Sequence, residues 1–122
     1  MCVNKMEPTK TVLSDGETRY VLNGKWHRKD GPALIFTDGS KYWYLNGRCH
    51  REDGPAAIWP DGTKEWFLDG LRHREDGPAV IYKDGRKEWW INGIEIISIP
   101  EVSNIFNQEE LSKYIKFILD MG

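Results

Sequence analysis

The chain has 122 residues, of which 39% are hydrophobic and 30% charged, and its formal net charge is −2 at pH 7. This length fits one domain of ordinary size. The near-neutral charge argues against nucleic acid as a partner of the whole chain, and no stretch approaches the ~18 apolar residues of a membrane-spanning helix.

Residues 1–9 carry no periodic pattern and are predicted to be a flexible lead-in. They are polar and lack the apolar core of a secretory signal peptide. The two cysteines, Cys2 and Cys49, have no partner pattern, and unpaired thiols are typical of a reducing compartment. These features predict a cytoplasmic protein.

Residues 10–97 are organised by a seven-residue motif that occurs three times, at residues 27–33, 50–56 and 73–79. The middle copy reads His50-Arg51-Glu52-Asp53-Gly54-Pro55-Ala56. A fixed period means that one supersecondary unit is stacked on copies of itself. The sequence therefore predicts a repeat array over residues 10–97.

Two turn signals recur with the same period. Asp-Gly occurs at 15–16, 38–39, 61–62 and 84–85, and Asn-Gly or Asp-Gly occurs at 23–24, 46–47, 69–70 and 92–93. Between apolar runs these dipeptides predict two-residue hairpin turns, because both central residues of such a turn need a positive φ. Each unit is therefore predicted to contain a strand, a turn, a second strand, a second turn and the motif as a connection.

Two-residue turns also predict which side chains share a face of the sheet. They pair Phe36 with Lys41 and Ile35 with Tyr42. Alternation then gives one apolar face, predicted to be the core. That face consists of Leu34, Phe36, Trp43 and Leu45 with their counterparts in the later units.

The opposite face mixes aromatic rings with carboxylates and is predicted to be an interface. Tyr44, Phe67 and Trp90 occupy equivalent positions on it, and Ile35, Ile58 and Ile81 are predicted to extend them into one apolar strip. A single sheet cannot bury both faces, and exposed strips of this kind usually mark an interface. We therefore expect a homodimer or a protein partner at these rings.

The pattern changes after residue 97. Asn107 and Glu110 resemble a helix-capping pair. Apolar residues then follow at helical spacing: Leu111, Tyr114, Ile115, Ile118 and Leu119. Residues 98–122 are predicted to be a linker and an amphipathic helix. The fold class expected overall is mainly β, an elongated antiparallel meander of stacked hairpins with a C-terminal capping α-helix.

The repeated histidines invite a metal or catalytic interpretation, and spacing argues against both. If each unit adds two strands, His27, His50 and His73 lie ~10 Å apart, twice the strand spacing. Zinc requires ligand nitrogens within ~2.1 Å of one ion. No Ser or Cys recurs beside the histidines to act as a nucleophile. We therefore predict no catalytic residue, no metal and no cofactor.

A structural interpretation of the motif accounts for each position. Glycines at 31, 54 and 77 would supply a positive φ, and aspartates at 30, 53 and 76 would accept backbone N–H groups. The arginines would pair with these aspartates, and the histidines would donate to loop carbonyls. In the alternative interpretation, Arg28, Arg51 and Arg74 form with the histidines a row that binds an anionic ligand or partner. Glu52, Asp53, Glu75 and Asp76 would neutralise much of its field.

These residues also suggest a family. The pattern Asp-Gly-x-x-x-Trp-x-x-Asn-Gly-x-x-His-Arg-x-Asp-Gly-Pro-Ala resembles a variant form of the MORN repeat over about residues 10–97. The resemblance implies stacked β-hairpins and a non-enzymatic role as an interaction platform. Members of this family sometimes bind lipid head groups, and some bacterial variants are described as antitoxins. No functional residue can be transferred from them position by position.

From this resemblance we expect a binding protein that acts through protein–protein interaction. The motif version is typical of phages and large DNA viruses, so we expect a phage protein that neutralises a host defence or toxin protein. Two alternatives stay open. One is a binder that sequesters an anionic, nucleotide-like ligand at the arginines, and the other is a bacterial antitoxin or immunity protein.

Overall fold

The computed structural model describes residues 7–96, and within that range the chain forms short strands and tight turns without a helix. The predicted mainly β fold built from antiparallel hairpins is confirmed for this part. The predicted capping helix lies outside the described residues.

Nine strands of the described range form one antiparallel sheet, ordered β1-β2-β4-β5-β8-β9-β12-β13, with β3 paired to β2. These strands are β1 (Thr9–Val12), β2 (Thr18–Leu22), β3 (Lys25–Trp26), β4 (Leu34–Ile35), β5 (Lys41–Tyr42), β8 (Ala57–Ile58), β9 (Lys64–Glu65), β12 (Val80–Ile81) and β13 (Lys87–Glu88). The others form three hairpins: β6 (Tyr44–Leu45) with β7 (Arg48–Cys49), β10 (Phe67–Leu68) with β11 (Leu71–Arg72), and β14 (Trp90–Ile91) with β15 (Ile94–Glu95).

Successive hairpins are joined to one another by backbone hydrogen bonds. The Gly70 N–H donates to the Cys49 carbonyl at 2.8 Å, and the Arg51 N–H donates to the Phe67 carbonyl at 3.1 Å. The Gly47 and Gly93 N–H groups make equivalent bonds. Each unit therefore contributes a pair of strands to the main sheet and a hairpin to a second row.

The Asn-Gly turns have the predicted geometry. Asn46 and Gly47 have φ values of 51° and 80°, and Leu45 pairs directly with Arg48 across them. Two central residues with positive φ define a type I′ turn, whose twist matches that of the flanking strands. The prediction of two-residue turns is confirmed at this position in every unit.

The Asp-Gly turns differ from the prediction by one residue. The Gly39 N–H donates to the Phe36 carbonyl at 3.1 Å, and of the two residues only Gly39 has a positive φ, 92°. This is a three-residue loop, a type I turn followed by a left-handed glycine. The Asp38 carboxylate accepts the Ser40 N–H at 2.9 Å and stabilises this loop. Ile35 therefore pairs with Lys41, and the predicted pairing with Tyr42 is wrong.

The register shift changes the composition of both faces. Tyr42 now pairs with Leu34, whereas Ile35 lies beside Lys41. The predicted grouping of Trp43 with Leu34 on one core face is therefore wrong, although Leu34, Ala57, Val80 and Ile91 of the predicted face are buried. Most buried apolar residues lie where the paired strands begin, on both faces: Ala33, Ala56 and Ala79 with no exposed area, and Leu34, Ala57 and Val80 at 5% or less. Trp43 is only half-buried.

Candidate functional site

The motif arginines are held in place by aromatic rings. In the middle copy, the Arg51 Cζ lies 4.1 Å from the centre of the Trp43 ring. Its Nε donates to Asp53 at 2.9 Å, and its Nη1 donates to the Pro55 carbonyl at 3.0 Å. The same three contacts recur for Arg28 with Tyr20, Asp30 and Pro32, and for Arg74 with Trp66, Asp76 and Pro78. The predicted pairing of arginine with aspartate is confirmed.

The motif glycines are required by these arginines. The positive-φ glycines are those of the turns, and Gly31, Gly54 and Gly77 are not among them, so the predicted positive φ is wrong. A Cβ built on Gly54 would lie 2.9 Å from the Arg51 Cζ and 3.1 Å from two of its nitrogens. These nearly equal distances place the glycine over one side of the guanidinium plane. Since the Trp43 ring cannot occupy the same side, the guanidinium lies between ring and glycine.

The motif histidines join neighbouring units. The Nδ1 atoms of His27, His50 and His73 accept the backbone N–H groups of Asn46, Asp69 and Asn92 at 2.9–3.0 Å. Each acceptor and donor are 19 residues apart, so the bond spans the junction between consecutive units. The predicted donation to a loop carbonyl is wrong: Nδ1 keeps its lone pair to accept, and the Nε2 atoms of His50 and His73 lie 3.5 Å from the carboxylates of Glu52 and Glu75 instead. The proton of the neutral ring is therefore on Nε2.

The prediction that the motif aspartates accept backbone N–H groups is wrong, because Asp30, Asp53 and Asp76 accept from the arginines instead. Backbone N–H groups are accepted by the aspartates of the Asp-Gly turns. Hydrogen bonds from the Ser40 hydroxyl and N–H lower the pKa of Asp38. A backbone hydrogen bond, from Thr63 and Arg86 respectively, is the largest cause of the lowered pKa of Asp61 and Asp84. These three carboxylates are ionised at neutral pH, and they lie in a row at the turns.

Two grooves separate the consecutive motif loops. The first, of about 600 Å³, is lined by residues that include Arg28, Asp30, Trp43, Arg51 and Asp53. The second, of about 650 Å³, is lined by the equivalent residues one unit further on, with His73 and Arg74. Two of the five N–H groups of each guanidinium are used in the contacts above. The candidate anion-binding arginines therefore lie beside open grooves, together with His50, His73 and carboxylates, whereas the buried His27 lines neither groove.

The predicted interface rings are half-buried in the hairpins. Tyr44 packs edge-on against Trp26 with ring centres 5.1 Å apart. The Arg72 Cζ lies 5.8 Å from the Phe67 ring centre and 4.9 Å from that of Trp90. The isoleucines predicted to extend this strip are on the lysine side of the strands instead, so the continuous strip is wrong.

Two carboxylates on the ring-bearing face, the buried Glu65 and the half-buried Glu88, were not predicted as a site. The Glu65 side chain accepts hydrogen bonds from the Trp59 indole at 2.6 Å and from the Arg72 Nε at 2.8 Å. Glu88 similarly accepts the Tyr82 hydroxyl at 2.8 Å and the Trp90 indole at 2.9 Å. The sequence signal was the recurrence of a carboxylate six residues after a ring with a polar hydrogen, in both units.

Cys49 is a poor nucleophile in this setting. Burial raises the pKa of its thiol to about 12, and the nearby negative charge of Glu65 adds to the effect. The thiol rather than the thiolate is therefore present at neutral pH, and only the thiolate reacts readily.

Within residues 7–96, no three His, Cys, Asp or Glu side chains are grouped so that they could hold a metal ion. The described range also contains no helix long and apolar enough to cross a membrane. No family model, curated protein or solved structure matches the chain. Its function must be inferred from its own contacts.

Proposed function

We propose that the chain is a non-enzymatic binding protein that acts through protein–protein interaction. The observation that carries this proposal is that the polar side chains of the motif bind other residues of the repeat array. Each arginine stacks on a ring and binds an aspartate, and each histidine bonds the next unit. Side chains committed in this way form a scaffold, and repeat scaffolds bind partners through their extended surfaces.

The resemblance to MORN repeats suggests the biological setting of this proposal. In its concrete form, a phage-encoded protein occupies and neutralises a host defence or toxin protein in the cytoplasm. An antitoxin or immunity protein would use the same mechanism, because it also acts by occupying a protein. Both versions require one stoichiometric protein complex and no turnover.

Reconstitution tests the proposal. The tagged chain would be used to capture partners from the native cell, and each candidate would then be purified and mixed with the untagged chain. We expect one candidate to form a complex of fixed stoichiometry by calorimetry. If no purified candidate forms such a complex, the protein-binding function is wrong.

A second candidate function is the sequestration of an anionic, nucleotide-like ligand. The two grooves between the motif loops favour it, because Arg51 lines both of them. Titration of ATP and of inorganic phosphate, followed by calorimetry, would test this function. Arg51→Lys keeps the charge but removes the planar fork of donors, so binding of ATP should weaken at least about tenfold. Equal affinity of the unmodified chain and of Arg51→Lys for ATP would contradict the ligand-sequestering function.

We also propose that residues 98–122 cap the last unit and that two chains associate. Trp89 is equivalent to Trp43, but Ile97 follows where the stacking arginine would be. The Trp89 Nε1 is buried and has no hydrogen-bond partner within the described range. A chain that ends at Ile96 should therefore unfold at a lower temperature.

Light scattering of the full chain should report twice the monomer mass of 14.2 kDa if Tyr44, Phe67 and Trp90 form a dimer interface.

A further inference from the structure

Three repeated lysines have no structural role among the described residues. Lys41, Lys64 and Lys87 occupy equivalent positions in three units, and all three side chains are exposed. The motif arginines pair with the motif aspartates, and the turn aspartates accept backbone N–H groups, so the other charged positions that recur in these three units as one residue type have neighbours. Within residues 7–96, none of these lysine side chains forms an ion pair or a hydrogen bond. Their recurrence is therefore not explained by the stability of the sheet.

The strand register arranges these lysines in one straight row. Directly paired residues across six adjacent strands of the main sheet are Ile35, Lys41, Ile58, Lys64, Ile81 and Lys87, in that order. We call this row the lysine ladder. Adjacent strands are ~4.8 Å apart, so the ladder alternates an apolar side chain and an ammonium group at that interval. Successive lysines are then ~10 Å apart.

The ladder is suited to a ligand that is both acidic and apolar. The isoleucines are half-buried and provide apolar surface between the charges. The lysines are separated by about one Debye length at physiological salt, so their mutual repulsion is weak. A ligand that places one carboxylate at each lysine and one apolar side chain at each isoleucine would match all six positions.

We propose that the lysine ladder binds an acidic amphipathic helix of a protein partner. This inference rests on the proposed protein-binding function and names the class of partner. In a helix, residues seven positions apart are ~10.5 Å apart and lie on nearly the same side. Carboxylates at every seventh residue, with apolar residues midway between them, therefore repeat with the period of the ladder. The flexible lysine side chains accommodate the remaining difference of ~1 Å per step.

Charge on the same part of the sheet favours a protein helix over a nucleic acid. Asp38, Asp61 and Asp84 precede the lysines by three residues in each unit, and they are exposed at the turns. A phosphate backbone carries charge much more densely than one group per 10 Å and would place phosphates near these carboxylates. A helix with carboxylates only at the lysines meets less of this repulsion, and its apolar side chains use the isoleucines as well.

A synthetic peptide would test the inference directly. The probe is a helix of three heptads with glutamate at each first position and leucine at each fourth, labelled for fluorescence anisotropy. A peptide of the same composition in scrambled order is its control. We expect the ordered peptide to bind the full chain at least about tenfold more tightly than the scrambled one. Lys64→Glu should reduce that affinity at least about tenfold, because it replaces attraction by repulsion at the middle of the ladder.

Lys25→Glu is the matched control variant, since it makes the same charge change on the exposed strand β3, outside the ladder. Its affinity for the ordered peptide should stay within about twofold of the unmodified chain. Circular dichroism would confirm that each variant is folded, and Lys64→Gln would replace Lys64→Glu if the latter is not. Equal weakening by Lys64→Glu and Lys25→Glu would overturn the inference, because it would show general attraction only.

Absence of binding by the ordered peptide would also overturn it. So would tighter binding to a single-stranded oligonucleotide or to vesicles of anionic phospholipid that is lost in Lys64→Glu. These failures are distinct from failure of the proposed function. A purified protein partner that binds Lys64→Glu as tightly as the unmodified chain would leave the protein-binding function intact and remove the ladder from it.

Discussion

The motif loops and the Asn-Gly turns both depend on a repeated glycine, but for different physical reasons. Gly47, in a turn, has a φ of 80°, a conformation that other residues resist. Gly54, in a loop, is required because the Arg51 guanidinium lies where its Cβ would be. One requirement belongs to the backbone of the turn itself, and the other belongs to a side chain that packs on it.

The difference explains why only the turn glycine was predicted correctly. Positive φ is a local property that the Asn-Gly dipeptide signals by itself. The loop contact involves Arg51 and also Trp43, which is eight residues earlier, between β5 and β6. No pattern of single residues reports that a guanidinium lies between a ring and a glycine. Local conformational demands are therefore easier to predict than contacts that follow from packing.

The largest effect should come from removing the guanidinium. Arg51→Ala loses the stacking on Trp43 and two charge-assisted hydrogen bonds, and we expect it to lower the free energy of unfolding by about 2–3 kcal/mol. Urea denaturation would measure the change. Arg48→Ala, on an exposed hairpin strand, is the control and should change it by less than about 0.5 kcal/mol. Similar effects of both variants would mean that the stacking adds no stability.

Gly54→Ala should destabilise the chain by about 1–2 kcal/mol, because the added Cβ displaces Arg51 from the ring. The double variant with Arg51→Ala sharpens the comparison. Without the guanidinium, Gly54→Ala has no close contact to displace and should be nearly neutral. A coupling energy of about 1 kcal/mol or more is therefore expected from the double-mutant cycle. If the two free-energy changes are strictly additive, Gly54 is required for its backbone conformation and not for its contact with Arg51.

Gly47→Ala should behave in the opposite way. We expect a loss of about 1 kcal/mol, because alanine is strained at a positive φ. A Cβ at this position would be 3.6 Å from the Lys25 side chain, an ordinary contact, so packing adds no penalty. The effect should be the same with and without Arg51→Ala. A coupling energy between Gly47→Ala and Arg51→Ala in denaturation experiments would show that Gly47 and Gly54 do not differ in the way described.

The smallest effect concerns the Asp-Gly turns at acid pH. Hydrogen bonds lower the folded-state pKa of Asp61 below its ordinary value of 3.8. Its stabilisation is therefore complete above the unfolded-state pKa and is lost as the pH falls through the lower folded-state pKa. Thermal unfolding between neutral pH and the acid range should show a shallower pH dependence for Asp61→Asn. An unchanged slope would show that the turn carboxylate does not contribute.

The sequence did contain a signal for the Asp-Gly register, although it pointed away from a two-residue turn. In the third unit the loop reads Pro60-Asp61-Gly62. Proline is favoured at the second position of a type I turn, and the Gly62 N–H indeed donates to the Trp59 carbonyl at 3.0 Å. The repeat period, the strands and the Asn-Gly turns could thus be predicted from the sequence. The strand register across the Asp-Gly turns could also have been predicted, from the proline of the third unit.

The site was less predictable than the fold because its contacts cross between units. The His50 acceptor role depends on the N–H of Asp69, which is brought close only after the hairpins stack. The ladder depends on register, and a shift of one residue moves Ile35 from the side of the rings to the side of the lysines. The residue types therefore indicated which kinds of contact the site could make, but the sequence did not indicate which residues would be in contact.

The histidine bond has a consequence for how such an array can change its length in evolution. Each 23-residue segment brings its own histidine acceptor and its own hairpin N–H donor, as the bond from Asn46 to His27 shows. A duplicated segment inserted in frame would therefore complete the junctions on both of its sides without any new substitution. Gain or loss of whole units by recombination would preserve the existing contacts, and the reach of the binding surface could be adjusted in steps of one unit.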